Sequence, residues 1–108
     1  MKFNMQQMLQ QAQKVQEEME KVKKEAKNKR VTSEAGGGMV KVTMNGDQEV
    51  LELKIAPEAI DPDDVEMLED LIVAAVNKAS QDAAKMVQDE MGKLGGMLPN
   101  IPGMNLGI

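Results

Sequence analysis

Met39-Val40-Lys41-Val42-Thr43-Met44-Asn45-Gly46-Asp47-Gln48-Glu49-Val50-Leu51-Glu52-Leu53-Lys54-Ile55 is the stretch that decides the fold. Val40, Val42 and Met44 alternate with Lys41 and Thr43, and Leu51, Leu53 and Ile55 alternate with Glu52 and Lys54. Each arm therefore reads as a strand with one apolar and one polar face. Asn45-Gly46 between them is a hairpin signal, because both residue types tolerate positive φ. A two-residue or a four-residue loop keeps the apolar faces together; the four-residue loop, Asn45 to Gln48, is expected, and it pairs Val42 with Leu51 and Val40 with Leu53. Upstream, Val31-Thr32-Ser33-Glu34-Ala35 alternates and Gly36-Gly37-Gly38 turns the chain. The expectation is a three-stranded antiparallel meander with one apolar face.

Helices flank it. Over residues 4–29, apolar residues fall at Met5, Met8, Ala12, Val15, Met19, Val22 and Ala26, in alternating steps of three and four. That is a heptad seam filled out by Gln, Glu and Lys, with Asn4 as the expected N-cap. A helix of this span is about 39 Å long, more than the ~26 Å diameter of a 100-residue globule, so part of it should project and seek another helix. After Ala56-Pro57, Asp61-Pro62 predicts a second helix from Pro62 to about Met91, with Asp61 as cap and Asp63, Asp64 and Glu66 against its positive end. Val65, Leu68, Ile72, Ala75, Ala79, Ala83, Met86 and Val87 recur at helical spacing. Leu71 to Val76 is apolar almost all round, which predicts burial by both the sheet and a second subunit. Leu71, Ile72, Ala75 and Val76 are the expected dimer interface. The fold class is thus α+β: long helix, three-stranded antiparallel sheet, long helix. Residues 1–94 form one dimerising domain, and 95–108, with four Gly and two Pro, read as a flexible tail.

Composition narrows the chemistry. The 108 residues include one Phe, no Tyr, no Trp, no Cys and no His. Disulfides, thiol nucleophiles and His-based metal or acid–base chemistry are excluded within the chain. No apolar run reaches the roughly 18 residues that span a bilayer, and Met1-Lys2-Phe3-Asn4-Met5-Gln6-Gln7 is not a signal peptide, so a cytoplasmic protein without membrane attachment is expected. The net charge of −5 is unevenly spread. Residues 2–30 carry seven Lys and one Arg against four Glu, a net of +4, and the remainder carries five Lys against fourteen acids, a net of −9. One end of the molecule is basic although the whole is acidic.

The ordered series Ala35-Gly36-Gly37-Gly38-Met39-Val40, Asn45-Gly46, Leu53 and Ile55, Asp61-Pro62-Asp63-Asp64-Val65-Glu66-Met67-Leu68-Glu69-Asp70-Leu71, Ala74-Ala75 and Asn77 resembles the YbaB/EbfC family of bacterial nucleoid-associated proteins. The resemblance runs from residue 5 to about 94 and is densest over 35–79. It implies a helix–sheet–helix protomer, a tweezer-like homodimer with helical arms, and DNA binding in the nucleoid without enzymatic activity.

The candidate site is the run Lys21, Lys23, Lys24, Lys27, Lys29 and Arg30, interrupted only by Glu25 among charged residues. Two readings fit it. The cations can meet phosphates. Alternatively they form a solvated face laced by Glu17–Lys21, Glu20–Lys24 and Glu25–Lys29 pairs four residues apart. Those pairs leave Lys14, Lys23, Lys27 and Arg30, which are the expected DNA contacts; Asn28 and Arg30 have side chains able to reach base edges. With one aromatic ring, duplex DNA suits the chain better than single strands, whose recognition rests on stacking. Gly36-Gly37-Gly38 lacks the Lys-Ser/Thr of a phosphate loop and reads as a turn. The acids Asp61, Asp63, Asp64, Glu66, Glu69 and Asp70 lack calcium-loop spacing and read as helix-end charges. The eleven Met read mainly as filler of a small core. No catalytic residue, cofactor, metal or small-molecule substrate is expected. The function expected is non-enzymatic binding of double-stranded DNA by a homodimer, mainly through phosphates; the alternative is a small adaptor whose helical arms bind another protein.

Overall fold

The computed structural model describes residues 4–94; the expected tail, 95–108, lies outside them. Helix α1 spans Met5–Glu25. Asn4 caps it, its Oδ1 accepting from the Gln6 N–H at 3.1 Å and the Gln7 N–H at 3.4 Å. The helix was expected to reach residue 29, but it tightens into a 3-10 turn over Ala26–Asn28. The cause is tertiary. Gly46 donates its N–H to the Ala26 carbonyl at 2.8 Å, and Lys29 donates to the same oxygen at 3.2 Å. Lys29 is already extended and feeds the sheet.

Strands β1 (Arg30–Ala35), β2 (Val40–Asn45) and β3 (Val50–Ile55) form the expected antiparallel meander in the order β1-β2-β3. The pairing of β2 with β3 differs from expectation: Val42 faces Leu53 and Val40 faces Ile55. The register moves by two residues, which keeps every apolar side chain on its face because the strand period is two. A three-residue turn and a bulge produce the move. Gln48 is left-handed, with φ 61°, Asn45 and Glu49 close the turn, and the pairing shifts between Thr43 and Met44.

Helix α2 spans Val65–Lys93 and is capped by Asp64, whose Oδ1 accepts from the Met67 N–H at 3.2 Å. The expected start at Pro62 is therefore three residues early. Asp61 instead caps a separate turn, accepting from the Asp63 N–H at 2.9 Å. α2 lies across β1 and β2. Ala75, Ala79 and Ala83, one turn apart, are fully buried and let the helix settle closely on Val40, Val42 and Met44. Ser33 on β1 donates to Asp82 on α2 at 2.6 Å inside this contact. The opposite face of the sheet is polar, with Thr32 bonded to Thr43 at 2.9 Å and Lys54 paired with Glu52 at 3.1 Å.

The molecule is long. Its extents are 73 × 26 × 16 Å and its radius of gyration is 20.4 Å, against about 13 Å for a 100-residue globule. Every residue from Asn4 to Lys14 is exposed. From Val15 onward burial begins: Val15 and Val22 are partly buried, Ala26 in the 3-10 turn is buried, and α1 makes contact with α2.

Candidate nucleic-acid interface

The basic run straddles the joint where α1 ends and β1 begins. Two contacts from the β2–β3 turn position that joint. Gly46 lies so close to Ala26 that an added Cβ would stand 2.7 Å from the Ala26 Cβ. Gln48 reaches α2, its side-chain amide donating to the Ser80 hydroxyl at 2.8 Å and the Ser80 carbonyl at 3.2 Å. The buried Asn45 side chain holds the turn itself, accepting from the Asp47 and Glu49 N–H groups and donating to the Glu49 carboxylate. One short turn thus ties the root of α1 and the middle of α2 to the sheet.

Lys21, Lys23, Lys24, Lys27 and Arg30 are all exposed, and among the described residues none of them forms an ion pair. The three pairs that the sequence made available on α1, Glu17–Lys21, Glu20–Lys24 and Glu25–Lys29, are not closed. A spacing of four brings side chains within reach but confers only a few tenths of a kcal/mol, about 0.2–0.5. Lys21 and Lys24 therefore belong with the free cations, which the spacing alone did not reveal. Lys29 is tied elsewhere: its Nζ lies 2.9 Å from Oε1 of Glu90, near the C-terminal end of α2. Lys93 shares that oxygen at 3.1 Å. Hydrogen bonding from Lys29, then from Lys93, holds the Glu90 carboxyl below the ordinary carboxylate range.

The four expected contacts do not share one face. Lys23 and Lys27, four residues apart, are neighbours on the last turn of α1 and the 3-10 turn after it. Arg30 opens β1 and alternates with the inward Val31, so it belongs to the polar side of the sheet. Lys14 stands nine residues before Lys23, about 14 Å up the arm and on the opposite side of α1. Asn28 is exposed beside the cluster.

Beyond the run, residues 31–108 carry more acids than lysines. Asp82, Lys85, Met86, Asp89, Glu90 and Lys93 line a shallow open groove on α2. Asp61 and Asp64 are engaged in capping, and among the described residues no group of three acids is arranged to hold a metal ion. Gly36, Gly37 and Gly38 form the β1–β2 turn with φ of 65°, 65° and 94°, and a Cβ on Gly36 would strike Leu71 at 2.8 Å. Among the described residues no helix is long and apolar enough to cross a membrane.

Of the four residues expected at a dimer interface, Ala75 is fully buried within the protomer and presents no surface to a partner. Leu71, Ile72 and Val76 are partly buried against the same core. Uncovered apolar surface lies elsewhere: Val50, Leu51 and Leu53 on β3, Ile60, Val65 and Val73 around α2, and Met5, Met8 and Leu9 on α1.

The sequence model of the YbaB/EbfC DNA-binding family matches residues 1–98. A nucleoid-associated protein of Pelotomaculum thermopropionicum is 50% identical over 101 residues, covering 94% of this chain and 95% of that one. A nucleoid-associated protein of Clostridium acetobutylicum is 50% identical over 101 residues, covering 94% and 89%. The crystal structure of an uncharacterized Helicobacter pylori protein superposes with a TM-score of 0.62 at 25% identity, covering 88% of this chain and 96% of that one.

Proposed function

The chain belongs to the YbaB/EbfC DNA-binding family, and from that premise we propose that it is a non-enzymatic, nucleoid-associated protein that binds duplex DNA as a homodimer through phosphate contacts at the root of α1. One observation carries the reading: Lys21, Lys23, Lys24, Lys27 and Arg30 are exposed and lack anionic partners among the described residues, on a protein whose residues 31–108 carry more acids than lysines. Unpaired cations release counterions on meeting phosphate, and those acids confine DNA to this end. Lys23, Lys27 and Arg30 make the principal contacts, and Lys14 contributes from the other side of the arm.

A second copy of the chain covers the bare apolar residues of β3 and α2 and the outer seam of α1. Val50, Leu51 and Leu53 on one strand are 43–51% exposed, and clustered exposed apolar side chains are the kind of surface that association covers.

Titration of duplex DNA at several salt concentrations tests the reading. Three contacts per protomer, about six per dimer, give a slope of log K against log salt of about −5. Changing Lys23, Lys27 and Arg30 together to Glu removes the binding and leaves the dimeric mass unchanged. Retained affinity with the parental slope would place the site elsewhere. Loss of all binding at physiological salt in the parent, with Met5, Met8 and Leu9 protected by a protein partner, would favour the adaptor reading.

A further inference from the structure

Lys29 differs from its neighbours. It lies between Lys27 and Arg30 in the basic run, yet among the described residues it is the member of that run held in an ion pair. We propose that Glu90 occupies Lys29 as a phosphate would, keeping one further DNA-binding cation per protomer in reserve at the proposed interface. The inference rests on the reading of the α1 root as the DNA site.

The geometry suits a removable mask. Glu90 comes from α2, not from the segment that carries the cations, so its hold on Lys29 depends on the packing of α2 against the root of α1. The Lys29 and Glu90 side chains are 37% and 28% exposed, so Lys29 is open to a phosphate once the Glu90 carboxylate no longer holds it. Lys93 bonds the same Oε1 at 3.1 Å. Glu90 therefore keeps a cation when Lys29 leaves, and release does not strand an unpaired carboxylate. Hydrogen bonds from Lys29 and Lys93 lower the Glu90 pKa, so the mask stays charged to a lower pH than it would without them. Asp82 and Asp89 line the same groove together with Lys85 and Lys93, so its charge is nearly balanced and Glu90 is the acid that the structure places on Lys29.

The test is the salt slope of duplex DNA binding measured on four proteins: the parent, Glu90→Gln, Lys29→Gln and the double variant. Freeing Lys29 adds one phosphate contact, so Glu90→Gln should bind more tightly and steepen the slope by about 0.9 per protomer. Lys29→Gln should leave the parental slope nearly unchanged, and the double variant should return to it. An unchanged slope in Glu90→Gln overturns the proposal. So does a steeper slope that persists in the double variant, because Glu90 would then act on DNA through its charge alone. Asp89→Asn removes an equal charge from the same groove and should not alter the slope. Glu90→Asp, which keeps the charge and withdraws the carboxylate by one methylene, should shift the slope in the same direction by less. The outcome is separable from the parent reading: if the Lys23, Lys27 and Arg30 triple variant still binds, the interface itself is misassigned, whereas loss of binding there with no effect of Glu90→Gln refutes the mask alone.

Discussion

Strands β2 and β3 carry nearly the same pattern and meet different fates. Val40, Val42 and Met44 are 0%, 0% and 2% exposed, whereas Val50, Leu51 and Leu53 are 51%, 43% and 44% exposed. Leu53 sits directly across from Val42 on the same face of the sheet. The difference lies in what crosses above them. A helix with its side chains is about 10–12 Å wide and strands are about 4.8 Å apart, so one helix covers two strands and leaves most of the third uncovered, with only Ile55 at its end reaching the core. α2 covers β1 and β2. Alternation assigns a side chain to a face, and only the neighbouring layer decides whether that face is dry.

The contrast is open to direct attack. Val42→Asp should be the most damaging change, placing an unpaired carboxylate under α2 at a cost of about 4 kcal/mol or more and abolishing cooperative thermal unfolding. Leu53→Asp, one strand away and 44% exposed in the wild-type protomer, should leave the circular dichroism of the folded protein in place; by the homodimer proposed above it should also lower the mass seen by light scattering. If both variants simply unfold, β3 is as much part of the protomer core as β2.

Gly46→Ala probes the anchoring of α1. The new Cβ would meet the Ala26 carbonyl oxygen at 2.8 Å, so the 3-10 joint must shift, at about 1–3 kcal/mol by analogy with overpacking in cores. A lowered melting temperature with faster proteolysis near Ala26 is expected; Gly37→Ala, with nothing within 4 Å of its Cβ, should suffer only backbone strain. A smaller effect comes from the two faces of β1. Ser33→Ala strands the partner of a part-buried hydrogen bond to Asp82 and should cost about 1–2 kcal/mol, while Thr32→Ala on the exposed face should fall within about 0.5 kcal/mol in denaturant unfolding.

The smallest effect expected is the pH response of the tie between α1 and α2. Glu90 has a depressed pKa in the folded protein. Its contribution is therefore present above the unfolded carboxylate pKa and fades as pH falls through the lower folded value. Carboxyl NMR titration should give Glu90 a midpoint below the ordinary glutamate value, and Lys29→Gln should raise it.

Much of the molecule was legible in its sequence. The alternation of Val40 to Met44 and Leu51 to Ile55, the helical run of α1, the Asn4 cap and the Gly36–Gly38 turn all rest on interactions within a few residues, where period and capping chemistry suffice. The basic run was equally plain, because charge does not depend on the fold. What the sequence left open depends on contacts between distant segments. The two-residue register shift of the hairpin preserves every face, so patterning could not choose it. α1 stops at Glu25 because the backbone of Gly46 takes the Ala26 carbonyl, and α2 starts at Val65 because Asp61 serves a separate turn. Ala75 belongs to the protomer core because three alanines one turn apart seat α2 on the sheet. Glu90 selects Lys29 because α2 brings its carboxylate to the root of α1. Local periodicity thus determined the elements and their faces, and the packing of α2 across two strands of three decided which faces were buried and which cation was held.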